Sequence, residues 1–84
     1  MNLYNIVLNI KNKDDFVKFV GELNDDLKNN PLTWENTELT SYLEAIQSWV
    51  TDMDGWGKNL NIDIKNISVW QLMAHILFAS KIYE

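Results

Sequence analysis

The stretch NTELTSYLEAIQSWVTDMDGW, residues 36–56, constrains the fold more than any other part of the chain. Its large apolar residues recur at alternating steps of four and three, which predicts a helix of roughly four or five turns with one apolar face. The stripe comprises Leu39, Leu43, Ile46, Val50 and Met53, widened by Tyr42 and Trp49. Asn36 is a suitable N-cap, and Gly55 and Gly57 are predicted to end the helix.

The size of the chain and its lack of cysteine require a packed apolar core. Its 84 residues are enough for one domain, and they include four Trp, three Tyr and three Phe but no Cys. Disulfides, zinc–thiolate sites and cysteine nucleophiles are therefore excluded. A domain of this size is marginal without such cross-links, so stability must come from packing, with homodimer formation as a further source.

The charge balance excludes two classes of partner. Twelve acidic residues stand against seven basic ones, and the net charge is −5. All seven basic residues are lysine, so the basic footprint and the arginine forks typical of nucleic-acid binding are missing. An anionic membrane surface is disfavoured for the same reason. We also find no signal peptide and no membrane-spanning run in the sequence, which predicts a cytoplasmic protein.

The remaining patterns predict three more helices, giving an all-α, four-helix domain. The predicted helices are residues 2–10, 13–29, 37–54 and 68–83, with a long loop at 55–67 in which Leu60, Ile62 and Ile64 alternate with polar residues. Residues 3–10 fit a strand as well as a helix, and we favour the helix because no second strand is evident to pair with it. The last helix is apolar nearly all round, which predicts that the other three largely enclose it.

Local capping and packing signals support these boundaries. Asn2 and Asn12 are predicted N-caps, and Ser68 with Gln71 forms the pattern of a capping box in which Gln71 reaches back. Trp34 is placed to staple the linker onto the central helix. The predicted buried stripe of the second helix comprises Phe16, Phe19, Val20, Leu23 and Leu27. Its polar residues, Asp26 among them, are expected to be solvated.

Several segments resemble those of a family of small bacterial proteins of unknown function. The resemblance rests on DFVKFVGELNDDLKNN, TWEN, YLEAIQSWVTDMDGW and SVWQLMAHILFASKIYE, and it extends from Asp15 to Glu84. Members of that family are acidic, cysteine-poor and helical, with a variable loop after the DMDG segment. The resemblance implies an all-helical domain and favours a helix at the N-terminus, but it implies no activity, cofactor or catalytic residue.

Candidate sites for metals and catalysis are weak. Asp52, Asp54 and Gly55 resemble the start of an EF-hand loop, and the sixth position is Gly57, but the fifth is Trp56, which has no oxygen ligand, and the twelfth is Asp63 in place of glutamate. His75 is the only histidine, and a hydrogen-bonded structural role is more common for such a residue than a catalytic one. There is no glycine-rich phosphate loop. We therefore predict no metal, no cofactor and no catalytic residue.

The sequence favours a non-enzymatic, acidic protein-interaction module of the inhibitor, immunity or adaptor type. Asp52, Asp54, Trp56 and Lys58 are the candidate partner-binding residues, because a tryptophan between two glycines beside acids is typical of an interaction site for a basic protein. In the competing interpretation Trp56 folds back onto the core and Lys58 neutralises the acids. The alternative function is a small enzyme or ligand-binding protein with a cleft near Asp52, Asp54, Trp56 and His75.

Overall fold

Four helices and one 3₁₀ turn make up the described part of the chain. The computed structural model describes residues 2–59 and 65–83, with residues 56–59 described by their backbone alone. The helices are α1 (Leu3–Leu8), α2 (Lys13–Asn29), α3 (Leu39–Asn59) and α4 (Val69–Ser80), and Pro31–Thr33 forms the 3₁₀ turn. No strand occurs in these residues. The predicted all-α, four-helix class is confirmed, and the ambiguous N-terminal segment is a helix.

Three of the four helices begin where the capping signals predict. The side-chain oxygens of Asn2, Asn12 and Ser68 each accept a hydrogen bond from an N–H in the following first turn, at 2.8, 2.9 and 3.1 Å. Each bond satisfies one of the N–H groups that a helix leaves without an internal partner at its start. The starts of α1, α2 and α4 are therefore fixed by local chemistry.

Replacing the cap Ser68 with alanine should lower the free energy of unfolding by about 0.5–2 kcal/mol, the usual range for the loss of an N-cap. Ser48→Ala is a suitable control, because Ser48 is exposed within α3 and alanine favours a helix interior. Urea denaturation followed by circular dichroism measures both variants. An unchanged midpoint for Ser68→Ala would show that Ser68 does not act as the cap.

The other half of the predicted capping box is wrong. Gln71 does not reach back to Ser68, and its side-chain amide instead donates to the main-chain oxygens of Val7 at 3.3 Å and Leu8 at 3.0 Å. Those oxygens lie in the last turn of α1, where helix carbonyls lack internal partners. Gln71 thus links the start of α4 to the end of α1.

The predicted boundaries of the central helix are also wrong. Helix α3 begins at Leu39 and runs through Gly55 and Gly57 to Asn59. Glycine permits the left-handed conformation that ends a helix but does not impose it, and each glycine costs a helix only about 1 kcal/mol relative to alanine. Asn36 precedes the helix by three positions and is not its N-cap.

Asn36 instead caps the C-terminus of α4. Its side-chain amide donates to the main-chain oxygens of Ser80 at 3.0 Å and Tyr83 at 2.7 Å. The main-chain N–H groups of Glu35 and Asn36 both donate to the oxygen of Lys81, each at 3.1 Å. The linker between α2 and α3 therefore satisfies carbonyl groups that α4 leaves unpaired at its end.

The connection between α3 and α4 begins later in the chain than predicted. Residues 55–59, predicted as loop, belong to α3, and residues 65–67 form a turn before α4. The predicted extended run with Leu60, Ile62 and Ile64 lies outside the described residues.

Helix α4 is the central element, as predicted. It packs against α1, α2 and α3, whereas α3 packs against α4 alone among the described helices. Ala74 and His75 of α4 are buried, and the main core cluster joins Ala74 to side chains of α1, α2 and the linkers. The other members of that cluster are Val7, Ile10, Phe19, Leu23 and Trp34. An all-round apolar helix suits this position because it meets neighbours on several sides.

The buried face of α3 differs from the predicted stripe. Trp49 and Ala45 are both 4% exposed, but Leu39 is 72%, Leu43 54% and Val50 37% exposed. A helix with a single helical neighbour buries only one side, and α3 turns its aromatic flank rather than its aliphatic stripe toward α4. Leu39, Leu43 and Val50 of the predicted stripe therefore supply exposed surface, whereas Ile46 and Met53 are half-buried.

Candidate protein-interaction surface

An apolar groove separates α2 from α3. Both helices pack on α4 but not on each other along their described lengths. The space between them has a volume of about 410 Å³. Apolar side chains form most of its lining: Val20, Leu23 and Leu27 from α2, Leu39 and Tyr42 from α3, and Leu77 from α4, with Trp34 from the linker. We call this space the α2–α3 groove. Val20, predicted to be buried, is 40% exposed there.

A row of exposed aliphatic side chains on α3 adjoins this groove. Leu39 belongs to both, while Leu43 and Val50 continue the row at helical spacing. We call these three residues the α3 ridge. Residues 39–51 contain one charged side chain, Glu44, whereas α2 carries eight in 17 residues. Depletion of charge beside exposed apolar side chains is typical of the centre of a protein interface.

One end of the groove is fixed by a polar cluster around Asp26. One carboxylate oxygen of Asp26 accepts hydrogen bonds from Trp34 Nε1 at 2.8 Å and from Lys81 Nζ at 2.9 Å. Lys81 Nζ also lies 5.6 Å from the centre of the Trp34 ring. The hydrogen bond from Lys81 holds the pKa of Asp26 below its ordinary value. Asp26, which we expected to be solvated, therefore anchors the linker and the end of α4 to α2.

Two aromatic side chains form a rigid wall of the groove. The Tyr42 hydroxyl donates to the main-chain oxygen of Leu77 at 2.8 Å, and the rings of Trp34 and Tyr42 lie 6.0 Å apart. Trp34 therefore contacts the central helix, although not as the predicted staple, because Asn36 is not the N-cap of α3. Burial raises the pKa of Tyr42 to about 12, so its hydroxyl is uncharged at neutral pH. The wall is held in place before any partner arrives, which reduces the entropic cost of binding.

Two of the four sequence-predicted binding residues, Asp52 and Asp54, do not line this groove. Asp52 and Asp54 are exposed on α3, and Asp52 accepts a hydrogen bond of 2.6 Å from the Tyr83 hydroxyl. This bond raises the pKa of Tyr83. Because α3 continues to Asn59, neither carboxylate lies in the last turn, where the negative end of the helix dipole would oppose it. The side chains of Trp56 and Lys58 lie outside the described residues.

His75 is buried at 3% exposure and faces a different element. Its ring meets that of Tyr4 in α1 edge-on, with the centroids 6.3 Å apart. Asp52 is bonded to Tyr83 instead, and Asp54 is exposed. Within residues 2–59 and 65–83, no three His, Asp or Glu side chains are grouped so that they could hold a metal ion. No helix in this part of the chain is long and apolar enough to cross a membrane.

The burial of His75 should make the stability of the domain depend on pH. Burial lowers the pKa of His75 below the ordinary 6.5, so the unfolded chain binds a proton more readily than the folded one. Stability is therefore greatest above about pH 6.5 and falls as the pH drops toward the folded-state pKa, by at most about 1.4 kcal/mol per pH unit for one proton. Asp26 affects stability in a lower pH range. Its pKa is lower in the folded protein than in the unfolded chain, so its contribution to stability is lost only as the pH falls below about 3.8.

Nuclear magnetic resonance tests this prediction directly, because the chain has a single histidine. We expect the imidazole signal of the folded protein to titrate below 6.5, and that of the urea-unfolded chain to titrate near 6.5. A folded-state value at or above that of the unfolded chain would contradict the buried, neutral imidazole.

Sequence reasoning missed the α2–α3 groove and the structural role of Asp26. The available signal for the surface was the charge depletion of residues 39–51, which distinguishes an interface from an ordinary solvated helix face. Periodicity alone assigned Leu39, Leu43 and Val50 to the core. No comparable local signal links Asp26 to Lys81, which lies 55 residues further along the chain.

Comparison with known protein families gives a match. A family model described as "Family of unknown function (DUF7660)" matches residues 12–84. No protein with a curated description and no solved structure matches the chain. The match covers most of the chain, including α2, α3 and α4 and therefore both walls of the groove.

Proposed function

The chain belongs to this family of unknown function, and we propose that it works as a non-enzymatic protein-interaction module of the inhibitor, immunity or adaptor type. Its partner-binding surface is the α2–α3 groove together with the α3 ridge. This placement replaces the candidate set of Asp52, Asp54, Trp56 and Lys58 as the centre of the surface. Asp54 lies one turn beyond Val50 and so belongs to its edge.

The observation that carries this proposal is the exposure of apolar side chains beside a groove with preformed walls. Leu39 and Leu43 are more than half exposed, and Leu39 also lines the groove. Full burial of a large aliphatic side chain contributes about 1.5–3 kcal/mol of favourable free energy relative to leaving it in water. A partner that covers the ridge and fills the groove obtains this gain without rearranging the domain.

The charge of the chain supports a basic partner. The net charge of −5 attracts a basic protein at long range, which raises the rate of encounter. Most of the acidic side chains lie outside the groove and the ridge, so attraction of a basic partner and coverage of the apolar surface do not compete for the same residues. Cytoplasmic location and a bacterial source fit this role and are part of the proposal.

A comparison of three immobilised proteins in a lysate of the source organism tests the function. They are the wild type, Leu43→Glu and Leu32→Glu, with quantitative mass spectrometry of the bound material. Leu32 is a matched control, because it lies on the 3₁₀ turn, is 99% exposed and undergoes the same change in charge. We expect a partner that the wild type and Leu32→Glu retain and that Leu43→Glu loses.

A purified candidate must then bind the wild type in calorimetry with a defined stoichiometry, and Leu43→Glu must weaken that binding at least about thirtyfold, the effect of a hot-spot residue. Equal binding by the wild type and Leu43→Glu would show that the ridge is not part of the interface. Circular dichroism confirms that each variant is folded.

A further inference from the structure

We propose that a second copy of this chain occupies the α3 ridge and α2–α3 groove, forming a two-fold symmetric dimer in which the α3 helices run antiparallel. This inference rests on the proposed function, since it names the occupant of the same surface. The acidic surface outside the dimer interface stays available to a further, basic partner.

The shape of the chain leaves surface to be covered. Its Cα atoms extend over 33 × 27 × 17 Å, so the thinnest dimension is only about two helix spacings of 8–10 Å. The accessible surface is 5808 Å², whereas a compact monomer of 9.9 kDa exposes about 5200 Å². The chain as a whole thus exposes roughly 600 Å² more than a compact monomer of its mass, and a dimer of standard size buries approximately 800 Å² on each partner.

Part of the exposed apolar surface is concentrated here. Among the residues whose side chains are described, nine large hydrophobic residues are exposed, and four of them lie in the groove or on the ridge: Val20, Leu39, Leu43 and Val50. Domains of this size without disulfides or metals commonly gain stability through association. A second copy is a partner that is present wherever the first one is.

The surface is complementary to itself. A ridge that lies beside a groove can enter the groove of a second copy while its own groove receives the partner's ridge, as a two-fold axis requires. Leu39, Leu43, Ile46 and Val50 follow steps of four, three and four, the spacing of a two-helix seam. An antiparallel pairing that uses all four residues sets Leu39 of one copy opposite the partner's Val50, and Leu43 opposite the partner's Ile46.

The helix dipoles favour the antiparallel direction, because it sets the negative end of each α3 beside the positive end of the other. The same register places Glu38 opposite Thr51 and next to Asp52 of the partner, so acidic side chains of the two copies approach one another at both ends of the seam. Salt screens such repulsion, and we therefore expect the dimer to strengthen as the salt concentration rises.

Analytical ultracentrifugation over a wide concentration range tests the dimer. We expect the wild type and Leu32→Glu to form a dimer, and Leu43→Glu to weaken it at least about a hundredfold because the substitution occurs twice in one interface. Leu39→Glu, at a position 72% exposed, gives an independent second variant. A wild type that is monomeric at every concentration, or a dimer unaffected by both ridge variants, would overturn the proposal.

Cysteine pairing tests the direction, because the natural chain has no cysteine. Leu39→Cys and Val50→Cys variants of different mass are mixed and oxidised. We expect the mixed disulfide between positions 39 and 50 to exceed both homotypic products, since an antiparallel seam sets these positions opposite each other. Predominant 39–39 and 50–50 disulfides would overturn the antiparallel arrangement.

Failure of this inference is distinguishable from failure of the proposed function. A monomeric wild type that still captures a host protein through Leu43 refutes the dimer and supports the interaction module. A monomeric wild type whose captured proteins do not depend on Leu43 refutes both.

Discussion

Replacing Phe19 with alanine should lower the free energy of unfolding by about 3–5 kcal/mol, the usual cost of truncating a buried phenylalanine. Phe19 is 0% exposed and lies in the core cluster that joins α1, α2 and α4. This cost has two parts. The favourable free energy of burying the ring away from water is lost, and the cavity that remains weakens the packing around it. A domain of 84 residues has a total stability of about 4–13 kcal/mol at ordinary values per residue. The substitution therefore removes a large share of that stability.

Val17→Ala provides the control on the same helix. Val17 is 61% exposed, and alanine is the better helix former, so we expect a change within about 0.5 kcal/mol. Urea denaturation of both variants measures the difference. A loss of less than about 1 kcal/mol for Phe19→Ala would mean that the core does not centre on this ring.

The second large effect concerns the cap that Asn36 places on α4. Asn36→Asp keeps the shape of the side chain, but it replaces the amide donor with a carboxylate that faces the main-chain oxygens of Ser80 and Tyr83. Two hydrogen bonds are lost, and a negative charge is placed against the negative end of the α4 dipole. We expect a loss of about 2–4 kcal/mol in the free energy of unfolding.

Asn5→Asp introduces the same charge change at another helix position. Asn5 is exposed in the first turn of α1, where the positive end of the helix dipole favours an acid, so we expect no loss of stability. Denaturation above pH 6.5 keeps both aspartates ionised and His75 neutral. Equal midpoints for the Asn36→Asp and Asn5→Asp variants would contradict the capping role of Asn36.

The starts of three helices and the central place of α4 follow from local sequence patterns. Asn2, Asn12 and Ser68 cap α1, α2 and α4 through bonds to residues two or three positions away. Such contacts form within one turn and do not depend on the rest of the fold. The all-round apolar pattern of α4 likewise predicts neighbours on several sides, whatever their identity.

Which apolar residues are covered depends on how the helices pack. The stripe of α3 predicts an apolar face, but the period of a helix is the same whether that face meets its own chain or another one. Its orientation was set by packing against α4 alone, with the Tyr42 hydroxyl bonded to Leu77. Leu39 and Leu43 were thereby left exposed, and with them the candidate surface.

Tertiary structure also decided the partners of the long-range polar groups. Gln71 and Asn36 were predicted to cap the starts of their own helices, yet they cap the ends of α1 and α4. Asp26 pairs with Lys81 across the fold rather than with solvent. The carbonyl groups at the end of any helix need hydrogen-bond donors from outside the helix. Which residue supplies the donor depends on how the helices pack together.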